Sequence, residues 1–133
     1  MLEIHLPINH YFFYRATNAN GKDEWAVEVV VLGAPKAPEK PIEVLEALNG
    51  NVKLKIKVPS DDGGSPITGY TIEKFEDGKW TRAAFVPGNK VGNKDAFEVN
   101  IPNLENGKPY KFRVRAENDE GESDFTLTDV RFL

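Results

Sequence analysis

From Val52 to Val58 the sequence VKLKIKV alternates apolar and basic residues, setting Leu54, Ile56 and Val58 on one face and Lys53, Lys55 and Lys57 on the other. A side-chain period of two belongs to a strand with one buried and one wet face. YKFRVRAEN repeats the pattern, with Tyr110, Phe112, Val114 and Ala116 inward and Lys111, Arg113, Arg115 and Glu117 toward water. FEVNI from Phe97 alternates likewise, and the stretch from Ile67 to Phe75 puts Tyr70 and Ile72 on a common side. Turn signals separate these runs at Asn49-Gly50, Asp62-Gly63-Gly64-Ser65-Pro66, Asp77-Gly78, Pro87-Gly88-Asn89 and Asn106-Gly107. No stretch carries a convincing helical period. Short strands with one apolar face each bury those faces by packing two antiparallel sheets together, so the predicted fold is an all-β sandwich.

The first third repeats part of the last. RATNANG from Arg15 returns as RAENDEG from Arg115, and EIHLPIN at Glu3 resembles EVNIPNL at Glu98 once a few residues are allowed to be missing from the intervening loop. Equivalent strands of consecutive domains in an array explain the echo, with a period of about 100 residues. Between the copies, Pro35, Pro38 and Pro41 recur at every third position, the spacing of a polyproline II spacer. The expected organisation is a partial segment over 1–34 supplying the last three strands of a preceding sandwich, a proline-rich linker over 35–41, and a complete domain over 42–133. AVEVVVLG, Ala26 to Gly33, is the strongest strand candidate in the partial segment.

The stretches PSDDGGSPITGYTIEKFEDGKWTRA and IPNLENGKPYKFRVRAENDEGES resemble a fibronectin type III domain, the immunoglobulin-like antiparallel β-sandwich, over roughly residues 38 to 133. Asp62 to Tyr70, Glu73-Lys74 and Trp80 to Ala83 match the version found in giant muscle proteins of the titin and twitchin class. The segment HYFFYRATNANG resembles the end of an immunoglobulin-like domain of the same proteins, with Phe12 and Tyr14 standing where a Tyr and a Cys are usual. The resemblance implies that Leu104 and Tyr110 form a tyrosine corner. It also implies that Ile56 replaces a buried Trp of the second strand, leaving Trp80 as the large aromatic of the core. In function it implies a non-catalytic spacer and docking module of a cytoplasmic sarcomere, with myosin or other sarcomeric proteins as partners and a kinase domain as a neighbour in the same polypeptide. The alternative is a module of a cell-adhesion receptor ectodomain, hence extracellular; the absence of an N-x-S/T sequon favours the intracellular reading.

Composition narrows the field further. The 133 residues are 40% hydrophobic and 29% charged, with nine Pro and eleven Gly, as in an ordinary turn-rich globular protein. A net charge of −4 without a basic field argues against nucleic acid, and no apolar run is long enough to span a bilayer. The absence of Cys excludes disulfides, thiolate metal sites and Cys nucleophiles. His5 and His10, the two histidines, are expected on opposite strand faces, which disfavours a metal site. No histidine lies in the complete domain to act as the base of a triad, and the carboxylate pairs sit in turn-rich loops, so neither catalysis nor a cofactor is expected.

The candidate sites are therefore surfaces for other proteins. The loop carrying Asp61, Asp62, Gly63 and Gly64 and the turn carrying Asn118, Glu120 and Gly121 fall at one end of a sandwich of this topology, making an acidic rim suited to a basic partner or calcium, or simply a solvated loop tip. Asn118 and Gly121 are expected at positive φ in a tight turn. The three-strand segment would expose Phe12, Tyr14, Val27, Val29 and Val31. At about 25 cal/mol per Å² and roughly 100 Å² each, covering them gains roughly 12 kcal/mol as an upper bound. Residues 1–34 are accordingly expected to dock on the complete domain or on a second copy, making a homo-oligomer, by strand addition.

Overall fold

A computed structural model describes residues 2–5, 10–17, 23–26, 31–128 and 131–132, with side chains described over 31–128. Three short strands come first: β1 (Leu2–His5), β2 (His10–Thr17) and β3 (Asp23–Ala26), an antiparallel sheet in the order β1-β2-β3. His5 is the Cα partner of His10 in this sheet, and residues directly opposite in an antiparallel pair share a face. The expectation that they occupy opposite faces fails, because the chain reverses between them. Of the expected strand from Ala26 to Gly33, Ala26 lies in β3, residues 27–30 lie outside the described residues, and residues 31–33 are not in a strand.

The sandwich is built from β4 (Glu39–Leu48), β5 (Asn51–Lys57), β6 (Gly69–Glu76), β7 (Lys79–Pro87), β8 (Ala96–Ile101) and β9 (Pro109–Asn118). The short strands β10 (Gly121–Glu122), β11 (Thr126–Leu127) and β12 (Arg131–Phe132) follow. One sheet has the order β4-β5-β8; the other is β10-β9-β6-β7, with β11 and β12 also pairing along β9. The only α-helical turn among the described residues, α1 (Gly88–Val91), joins β7 toward β8 and buries Val91.

Alternation in the strands becomes the core. Val52, Leu54 and Ile56 of β5 face Tyr70 and Ile72 of β6 and Tyr110, Phe112, Val114 and Ala116 of β9, all buried in one cluster. Each such large apolar side chain contributes about 1.5–3 kcal/mol on burial. Ile56 fills its place in β5 completely. Trp80 does not enter the core. The two-residue turn Asp77-Gly78, at φ 53° and 80°, pairs Phe75 with Trp80. Because Tyr70 and Ile72 point inward, that register puts both rings on the outer face, 5.1 Å apart.

The expected spacer also departs from prediction. Pro35 and Pro38 are buried, Lys36 N donates to Asp61 O at 3.0 Å, and β4 already begins at Glu39. The proline-rich run thus lies against the sandwich, because each proline ring offers apolar surface that packing removes from water.

Candidate interaction site at the Asn118 turn

Three segments meet at one end of the sandwich: residues 31–36, the loop from Asp61 to Ser65, and the turn from Asn118 to Gly121. Paired carboxylates begin the construction. Asp61 Oδ1 accepts from Gly63 N and Asp62 Oδ1 from Gly64 N, each at 2.8 Å, folding the loop on itself. Gly63 and Gly64 take φ values of 79° and 85°, which L side chains rarely adopt. Space makes the same demand at Gly63, where a Cβ would sit 2.1 Å from Gly33 O; a Cβ on Gly64 would meet the movable tip of Leu32, 2.8 Å from Cδ2. The glycines are therefore where the preceding chain crosses the loop, and Gly33 N donates to Gly63 O at 2.9 Å.

Asn118 locks the three segments together. Its Nδ2 donates to Gly33 O at 2.9 Å and Asp62 O at 2.7 Å, with a longer 3.5 Å approach to Ser65 O. Its Oδ1 accepts from Glu120 N at 2.8 Å and Gly121 N at 3.1 Å. A buried amide with donors and acceptors all engaged is a strong constraint on local geometry. Asn118 itself has no positive φ, contrary to the tight-turn expectation; its side chain shapes the turn instead.

The predicted partner-binding residues Asp61, Asp62, Gly63, Gly64, Asn118, Glu120 and Gly121 are thus brought together, and most of their polar groups bind this chain's own backbone. Asp61 and Asp62 are exposed, as are Asp119 in the turn and Asp124 just after it, while Glu122 pairs with Arg115 at 3.0 Å. Among the described residues, no group of three or more His, Asp or Glu side chains converges in metal-binding geometry. Of the self-association set, Phe12 and Tyr14 lie two apart in β2, Val31 is 48% exposed, and Val27 and Val29 lie outside the described residues.

The cation–π cluster on the outer face and the links of Glu76 to Tyr110 and Lys108 escaped sequence reasoning. On the outer face, the Arg113 guanidinium lies 4.2 Å from the Trp80 ring centre and 3.9 Å from that of Phe125, and Arg115 lies 4.9 Å from Phe125. Glu73 anchors Arg113 through Nε at 2.7 Å. Outward Arg113 and Arg115 were evident from alternation; Trp80 is brought to them by the hairpin register and Phe125 by the chain between β10 and β11. At the opposite end, Glu105 N donates to the Tyr110 hydroxyl at 2.9 Å, forming the expected corner, and that hydroxyl donates to Glu76 Oε2 at 2.8 Å. Lys108 bridges Glu76 and Asp77, at 3.1 Å each. The hydrogen bond from Tyr110, then that from Lys108, holds Glu76 below the usual carboxylate range, while the same carboxylates raise Lys108. Burial pushes the Tyr70 phenol up to about 12.

Comparison with known proteins agrees with this architecture. The family described as "Fibronectin type III domain" matches residues 37–128. A titin homolog of Caenorhabditis elegans is 39% identical over 116 residues, covering 85% of this chain and 1% of the relative. The "Cell adhesion molecule-related/down-regulated by oncogenes" protein of Xenopus laevis is 38% identical over 93 residues, covering 68% of this chain and 7% of the relative. Among solved structures, the twitchin kinase region from C. elegans aligns with TM-score 0.64 and 33% identity over 75% of this chain and 17% of that one. The chain thus spans only a small part of the relatives it matches.

Proposed function

The chain belongs to the fibronectin type III family, and on that premise we propose that it is a non-catalytic spacer and protein-docking module of a titin- or twitchin-like protein of the sarcomere. One observation carries this reading: the segment leading into the domain is fastened to it by backbone hydrogen bonds at Gly33 and Lys36 and by the Asn118 side chain. A fastened lead-in gives successive modules a defined mutual angle, which a load-bearing filament requires and a loosely tethered binding domain does not. Similarity to the nematode titin homolog over 85% of this chain supports the muscle setting.

In this proposal the work is mechanical and adhesive: the module holds length, fixes orientation and offers its loops and sheet faces to other filament proteins, myosin among them. Residues 1–34 dock on the complete domain or on a second copy of the chain. The similarity to a vertebrate cell-adhesion protein supports an extracellular module as the second reading.

An epitope inserted at the exposed Asp77-Gly78 turn, where a Cβ on Gly78 would meet nothing within 4 Å, is expected to be accommodated, with circular dichroism checking that the fold is kept. Introduced at the native locus, it decides between the readings. Striated staining inside permeabilised muscle is expected. Staining of unpermeabilised cells, without striation, would establish the adhesion reading instead.

A further inference from the structure

The two long sides of the sandwich are finished differently. On one, Thr126 Oγ1 of β11 donates to Pro38 O just ahead of β4, and the buried prolines seal the gap. On the other, β7 and β8 are the outermost strands of their sheets, and among the described residues neither pairs with a further strand. The core is incompletely covered there. Val86, Phe97 and Val99 pack against it yet remain partly exposed, whereas Ile72 and Ile56, one strand further in, are fully buried. Leu45 and Phe85 add exposed apolar surface beside them, at 41% and 39%. These side chains bound an open groove of about 820 Å³ along β8.

Charge gives the groove a preference. Lys55, Lys90 and Lys94 line it, and its one carboxylate, Glu98, lies across the ladder from Lys55. Among the described residues, Lys90 and Lys94 have no carboxylate partner, unlike Lys108 at the far end. A chain of net charge −4 therefore carries a basic island beside an unpaired strand edge and an uncovered strip of core.

We propose that this groove docks an extended acidic segment of another protein, which adds as a strand along β8. An unpaired edge presents a row of N–H and C=O groups to any extended chain, so the backbone ladder itself is indifferent to sequence. Selection comes from the side chains. Alternate residues of the incoming strand turn inward, where apolar groups complete the cover over Phe97, Val99 and Val86. The intervening residues turn outward, where carboxylates meet Lys90 and Lys94. A basic segment gains the same ladder and is repelled by the lysines, and salt weakens the acidic segment's advantage.

The test uses the full chain, labelled with nitrogen-15 and titrated with a blocked octapeptide alternating valine and glutamate. A second peptide with lysine replacing glutamate is the control. Amide shifts in β8, β7 and residues 88–95 are expected, with affinity falling about tenfold or more in the double variant Lys90→Glu/Lys94→Glu and less in Lys90→Ala/Lys94→Ala. Lys79→Glu, at the start of β7 and outside the groove, leaves affinity unchanged. Absence of shifts, shifts centred elsewhere, or equal binding of the lysine peptide overturns the proposal. Concentration-dependent shifts of the same amides without peptide also overturn it, by making a second copy the occupant.

Discussion

The side-chain amide of Asn118 donates to the carbonyl of Gly33, 85 positions away in sequence, at 2.9 Å. Because the same side chain also accepts from Glu120 N and Gly121 N, one residue couples the chain leading into the domain to a turn near the domain's far end in sequence. Asn118→Ala strands these groups and should cost about 2–3 kcal/mol in urea denaturation. Asn118→Asp retains the acceptor and sets a carboxylate against the Gly33 and Asp62 carbonyls, so it should rescue nothing. Full stability in the aspartate variant would show that only the turn hydrogen bonds matter.

Gly63→Ala places a methyl group against Gly33 O and enforces a strained φ. The lead-in must lift away, and limited proteolysis should then cut between residues 33 and 37, where the parent resists. Gly78→Ala, at a similar φ but in open space, should cost only about 1 kcal/mol and leave the cleavage pattern unchanged. Equal proteolysis of the two variants would separate the lead-in from the loop glycines.

Tyr110→Phe removes a hydroxyl that both accepts from Glu105 N and donates to Glu76, at an expected cost of about 1–2 kcal/mol. The variant also changes acid behaviour. Since Glu76 is depressed in the folded state, its contribution is present above the unfolded carboxylate value of about 4.5 and is lost as pH falls through the folded one. Acid unfolding of Tyr110→Phe should begin at higher pH than in the parent, as followed by circular dichroism.

At alkaline pH the sign reverses for Tyr70, whose folded value of about 12 exceeds the ordinary 10.0. Stability is complete below the unfolded value and declines as pH rises between the two, because the buried phenol cannot readily ionise. Tyr70→Phe should remove this component of the alkaline loss, measured by denaturation at stepped pH. An unchanged alkaline profile would assign the loss to other groups.

Arg113 lies between the rings of Trp80 and Phe125 while bonded to Glu73. Its replacement by Ala should cost about 1–2 kcal/mol. Lysine should restore little, since an ammonium neither stacks on two rings nor keeps the planar fork. A fully stable Arg113→Lys protein would reduce the arrangement to a plain ion pair.

Strict alternation made β5 and β9 legible: Leu54 and Ile56, Tyr110, Phe112, Val114 and Ala116 occupy the core as their periodicity predicts. Trp80 was misplaced because size and apolarity favour the interior, whereas the Asp77-Gly78 hairpin binds it to the outward position opposite Phe75. The register was present in the alternation of β6, so this error was avoidable in principle. The role of Asn118 was not. Its pattern with Gly121 signals a turn, but no local feature announces carbonyls at Gly33 and Asp62. Pro35, Pro38 and Pro41 likewise carry the period of a free spacer, and only the fold shows the buried surface that receives the first two.

The strand β9 runs between two poles, with Asn118 at one and Tyr110 at the other, roughly 26 Å apart at about 3.3 Å per residue. The chain arrives at the first pole, where Gly33 is fastened, and leaves near the second, where Arg131 pairs with Tyr110. Tension applied through the two ends therefore pulls β4 and β12 along their own axes in opposite directions. Both ladders are loaded in shear, the long one between β4 and β5 through several hydrogen bonds at once, instead of being unzipped one by one. A lead-in that must first break from Gly63 and Asn118 takes up the earliest part of the extension and spares the sandwich behind it.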